Sequence, residues 1–161
     1  MISLLGVDHR IQSNFDFAPQ FLRDWFVAAV KEIVEEEKID VIAEEYSVDA
    51  APNKMSTLAE AASEIGLTHR YCDPGISERK SRGILLPTEY KNSLDKRNSD
   101  LQREQYWFDQ IKDLQIKNIL FVCGCCHVNS FKLLLEEYGL PVHVLSNHWD
   151  YDELIKRWSS K

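Results

Sequence analysis

The chain has 161 residues, 44% of them hydrophobic and 28% charged, which excludes a disordered or low-complexity polymer and allows one core of ordinary size. Lys and Arg number 19 against 26 Asp and Glu, a formal charge of −7 that argues against a general nucleic-acid coat or an anionic-membrane binder. The longest apolar run, Ile119 to Cys126, is too short to span a bilayer.

In chain order, Ile2 to Val7 is a short apolar run and reads as a buried strand. Phe21, Leu22, Trp25, Phe26, Ala29, Val30, Ile33 and Val34 form one helical stripe, with Pro19 suited to its first turn. Ile39 to Ala43 is a second strand. Thr57-Leu-Ala-Glu60 reads as a capping box, Leu58, Ala61, Ala62 and Ile65 as the stripe behind it, and Gly66 as the stop. Thr68 to Cys72 gives a third, weaker strand. Residues 73 to 98 carry no convincing period and read as a long irregular loop or lid, with a short helix around Leu85 to Leu94 as an option. Ser99 to Gln102 caps a helix with the stripe Leu101, Phe108, Ile111 and Leu114. Asn118 to Cys123 is the clearest strand, and Val128 to Tyr138 a helix closed by Gly139. Pro141 to Leu145 is a fifth strand, and Asp150 to Glu153 caps a last helix ending in Trp158. Trp25, Trp107 and Trp158 fall on helix stripes, while Trp149 lies at the edge of the fifth strand. This alternation predicts a single α/β domain over residues 1–161: three layers, with a five-stranded, mostly parallel sheet flanked by helices on both faces.

Ligands of parallel sheets bind outside the carboxyl ends of the strands. Here those ends read Gly6-Val-Asp-His9, Glu44-Glu45, Cys72-Asp73 and Gly124-Cys-Cys-His127. Two histidines and several carboxylates should therefore share one rim. Imidazole with carboxylate suits a divalent transition metal such as Mn, Co or Zn, and equally suits general acid–base work without one. Glu44 and Glu45 are adjacent, so one of the two should face away. The backbone amides opening the helix at Val128, Asn129 and Ser130 are suited to an anion or oxyanion. Asp73 is a further carboxylate, and the run from Glu78 to Arg82 offers Arg79 to an anionic substrate. Cys123, Cys125 and Cys126 read as small buried hydrophobes, and a thiol centre built on them ranks last because the paired Cys-x-x-Cys spacing is missing. The four thiols, expected to be reduced, and a Met1–Val7 segment without a basic flank or cleavage site point to the cytoplasm.

The two Gly-x-x-His motifs, each ending a strand, resemble the TraB/Tiki/ChaN-like superfamily, which includes the erythromycin esterases. The resemblance covers roughly Ile2 to Leu145. It implies a second-strand Glu at Glu44 and functional residues at Arg103 and Glu104 in the segment Gln102-Arg-Glu104, where Gln102 departs from the family's acidic residue. Ser130 is compatible with the family's small residue after the second histidine. The expected function is then a metal-assisted hydrolase acting on a small molecule or short peptide. His9, His127 and Glu44 are its metal ligands or acid–base groups, Arg103 is a further catalytic group, and Asp73, Arg79, Asn129 and Ser130 contact substrate. The alternative is a non-catalytic small-molecule or anion sensor using the same crevice. No dinucleotide-type Gly-x-Gly-x-x-Gly follows the first strand.

Overall fold

The computed structural model describes residues 1–12, 19–50, 55–114 and 116–149. Five strands, β1 (Ile2–Val7), β2 (Val41–Glu44), β3 (Thr68–Tyr71), β4 (Ile119–Gly124) and β5 (Val142–Trp149), form one sheet in the order β3-β2-β4-β1-β5. All neighbours are parallel. Among the described residues six α-helices accompany them: α1 (His9–Gln12), α2 (Gln20–Glu36), α3 (Thr57–Ile65), α4 (Ile76–Arg82), α5 (Ser93–Ile111) and α6 (Val128–Glu137).

Every residue of β1, β2 and β4 is buried, as strands covered on both faces must be. Side chains of successive strand residues point to opposite faces, and the packing follows that period. Val41, Ala43, Ile119, Phe121 and Cys123 meet α5 and α6 through Trp107, Phe108, Phe131 and Leu135. Ile42, Leu120 and Val122 meet α2 and α3 through Phe26, Val30, Ile33 and Leu58. Trp107 packs on Phe121 and Phe131 at centroid distances of 5.7 and 5.3 Å. Each such ring contributes roughly 1.5–3 kcal/mol by burial.

Gly6 explains one of the two glycines in the motifs. A Cβ there would lie 2.2 Å from the Asn147 carbonyl oxygen and 2.6 Å from Val128 Cγ2. The irregular register between β1 and β5 brings that backbone in close. Gly6→Ala is therefore expected to destabilise the fold by about 1–3 kcal/mol, read as a lower urea midpoint, because backbone rather than a flexible side chain must yield. An unchanged midpoint would show that β5 has room to move.

Several sequence expectations change. Residues 73–98 do not form one irregular loop: they hold α4, a 3-10 turn at Pro87–Glu89 and the start of α5. Helix α5 begins at Ser93 and is capped by Asn92, whose Oδ1 accepts from the amides of Leu94 and Asp95 at 2.9 and 3.0 Å. Ser99 is an interior residue whose hydroxyl bonds to the Leu85 carbonyl. The low mean apolarity of the first turns of α5 hides the helix from a hydrophobic-period reading. Ser56 rather than Thr57 caps α3, accepting from the Ala59 amide at 3.0 Å. Strand β5 runs on to Trp149, which is buried against Phe26 at 5.0 Å. The last helix and Trp158 lie outside the described residues. Among the described residues no helix is long and apolar enough to cross a membrane.

Candidate active site

Three neighbouring strands, β1, β4 and β2, end side by side, with Val7 level with Gly124 and Glu44 level with Val122. The chain leaves β1 into His9, β4 into His127 and β2 into Glu45. Glu45 continues the alternation of β2 toward the α5/α6 layer, and its carboxylate is buried there. His9 Nε2 lies 3.7 Å and His127 Nε2 3.6 Å from Glu45 Oε1. Arg103 donates to the same oxygen, while Oε2 accepts the Gly124 amide at 2.7 Å. Gly124 makes room for this: a Cβ would fall 2.5 Å from His9 Nε2 and 3.3 Å from Glu45 Oε2. The second motif's glycine thus serves the first motif's histidine.

Arg103 projects from the middle of α5, one turn before Trp107, so one helical stripe supplies both the site and the core. Its Nε donates to Asp73 Oδ1 at 3.0 Å, and its guanidinium carbon stands 5.3 Å from the Trp107 ring centre. Burial disfavours its charge, but Glu45 and Asp73 outweigh that and hold it above the ordinary arginine value. Asp73 is itself fixed by Trp107 Nε1 at 3.0 Å and by Arg79 at 2.6 Å. Arg79 is thereby part of the framework, bonded to Asp73 and to the Pro74 carbonyl.

His127 Nδ1 faces Glu104 Oε1 at 2.8 Å, and Ser130 donates to that same oxygen at 2.6 Å. Burial alone would lower the His127 pKa. Hydrogen bonds with Cys126 and Glu104 and the charge of Glu45 push it up instead, to about 10. Asp100 Oδ1 stands 3.9 Å from its Nε2 and 3.8 Å from Arg103. Cations and carboxylates are interleaved in this cluster.

His9 differs from the rest: 55% of its side chain is exposed, against 2% for Glu45 and 4% for His127. Its Nδ1 meets Gln12 Oε1 at 3.0 Å. The Gln12 amide nitrogen points to two acceptors, the Val122 carbonyl at 3.4 Å and Glu44 Oε2 at 3.5 Å. That leaves the amide oxygen to accept from Nδ1–H, with Nε2 facing Glu45 and solvent.

Glu44 lies elsewhere. It follows Ile42 to the α2/α3 face, where it is fully buried and bonded to Ser56 and to His69 Nε2 at 2.8 Å. Of the two adjacent carboxylates, Glu45 is the one between the histidines. Asn129 is exposed at the start of α6, and no side-chain bond holds it among the described residues. Cys125 and Cys126 are exposed in the turn before His127, contrary to their expected burial, whereas Cys72 and Cys123 are buried and their thiols pushed up by desolvation. Asp8 pairs with Arg10 on the surface and takes no part in the cluster. Sequence reasoning missed Gln12 and Asp100 and gave His69 no role. Only Gln12 left a trace, standing three residues after His9 in one helical turn.

The residues as placed do not fit the divalent metal that the resemblance implies. Glu44 is on the wrong face, and the Arg103 guanidinium holds the Glu45 oxygen that a cation would need. Among the described residues no three His, Cys, Asp or Glu side chains are grouped to hold a metal ion. What the arrangement does offer is an accessible imidazole backed by a buried anion, beside a guanidinium. Comparison with protein-family models, curated proteins and solved structures finds no match for this chain.

Proposed function

We propose that this chain is a hydrolase of a small-molecule or short-peptide ester or amide, reacting at the carboxyl rim of the sheet and working in the cytoplasm. The observation that carries the reading is the Glu45 carboxylate, buried and flanked at 3.7 and 3.6 Å by two imidazole nitrogens. The resemblance of the two Gly-x-x-His motifs to a superfamily that includes the erythromycin esterases supports the same class, and four free thiols support the compartment.

His9 Nε2 takes a proton from water as its oxygen adds to the substrate carbonyl. The imidazolium formed is balanced by Glu45, and the same nitrogen then returns the proton to the departing alkoxide or amine. Glu45 stays fixed because Arg103 and the Gly124 amide hold it. Arg103, 13% exposed against 4% for His127, meets the developing negative oxygen. His127 and Glu104 keep the charges beneath in register.

The test is a panel of esters and amides incubated with the purified chain, with products identified by mass. Turnover is expected, with His9→Ala about 10²–10⁴-fold slower and activity retained in chelator. Substrates returned unchanged after prolonged incubation would identify a binding module instead. His9→Ala as active as the parent, or activity lost to chelator and restored by Mn, Co or Zn, would overturn this mechanism.

A further inference from the structure

Beside the rim cluster, with which it shares Asp100, Glu104 and Ser130, α5 and α6 line an open groove of about 440 Å³. Its walls include Arg97 and Leu101 from α5 and Leu133, Leu134 and Glu137 from α6, and fully buried Glu104 forms its floor. Three features of this groove are unaccounted for by the packing. Leu101 and Leu133 are exposed although large and apolar. Arg97 on one helix and Glu137 on the other have no ion pair among the described residues, while Lys96 is already paired with Asp100. Finally, Glu104 uses Oε1 for both His127 and Ser130, and its buried Oε2 has no partner. A buried acceptor left bare is destabilising, and a donor arriving through the groove would relieve it.

These features call for a small molecule that carries a hydrogen-bond donor, a branched aliphatic body and an anionic end. We propose that the groove binds a free aliphatic α-amino acid. Its ammonium is received by Glu104 Oε2 at the floor and Glu137 at the wall, its side chain lies between Leu101 and Leu133, and its carboxylate meets Arg97. Acid and base on opposite walls match a zwitterion, and neither a simple anion nor a simple amine uses both. The inference goes beyond the hydrolase reading and stands without it, because binding is measured with no turnover.

The probe is leucine, titrated calorimetrically into the full chain beside 4-methylpentanoate, which has the same body and carboxylate but lacks the ammonium. Leucine is expected to bind saturably and 4-methylpentanoate not to bind. Arg97→Ala should weaken leucine about tenfold by removing a charge-assisted bond. Leu133→Trp, at an exposed position where folding tolerates the change, should abolish binding by filling the groove. His9→Ala should bind leucine as the parent does, so loss of hydrolysis and loss of this site are read separately. The proposal is overturned if leucine gives no saturable heat, if 4-methylpentanoate binds equally well, or if Arg97→Ala and Leu133→Trp both leave the affinity unchanged.

Discussion

Glu45→Gln is expected to slow hydrolysis by about 10²–10³-fold, the loss typical when a preorganised charge beside a reacting group is removed. Glu44→Gln, one residue earlier, should leave kcat/KM within a few-fold and instead lower stability by about 1–3 kcal/mol through its buried bonds. The contrast follows from the pleat. Glu45 lies 3.7 Å from the exposed His9 nitrogen and accepts from Arg103 and the Gly124 amide. Glu44 is turned to Ser56 and His69 under α3. A neutral amide at residue 45 keeps the shape but no longer balances the imidazolium that forms on His9. It also presents an N–H where Arg103 or Gly124 already donates. The measurement is kcat/KM for the best substrate of the panel, with urea unfolding of the same samples. Equal activity losses at the two positions would mean that both carboxylates serve the reaction. Loss at residue 44 alone would assign the site to the other face of the sheet.

That adjacent pair also marks the limit of what the sequence could reveal. The alternation of apolar runs with amphipathic stripes was enough for a parallel three-layer domain, since β1, β2 and β4 are largely apolar runs and α2, α3 and α6 have regular stripes. The rule that ligands gather at strand ends brought His9 and His127 to one rim. It could not decide between residues 44 and 45, because strand periodicity assigns a face only once the register is fixed, and a one-residue slip reverses every side chain. The polar start of α5 failed differently. Its first turns are held by Asn92 capping and by contacts such as Ser99 with Leu85, not by an apolar face. As a result Arg103, expected near a helix N-terminus, is in fact in the middle of a 19-residue helix. The metal expected on His9, His127 and Glu44 rested on residue types, whereas the charge state of His127 and the placement of Arg103 depend on neighbours distant in the chain.

Arg103→Met is expected to cost about 3–5 kcal/mol of stability, the penalty for breaking a buried ion pair from one side. Its guanidinium is the only group among the described residues that donates to both Glu45 and Asp73. Without it, Glu45 keeps only the Gly124 amide as a bonded donor, and Asp73 keeps Arg79 and Trp107. The Met side chain fills similar space against Trp107, so the loss is electrostatic and not a cavity. Arg103→Lys should recover only part of it, because one ammonium cannot present the planar fork that spans two carboxylates. Adding Glu45→Met to Arg103→Met removes the stranded anion, and the double variant is expected to be more stable than Arg103→Met alone. The coupling is read from urea midpoints of the parent, the two single variants and the double variant. A loss below about 1 kcal/mol for Arg103→Met, as for an exposed pair, or additive effects in the cycle, would mean that water already screens the cluster. Arg103 would then not be what holds Glu45 in place beside His9.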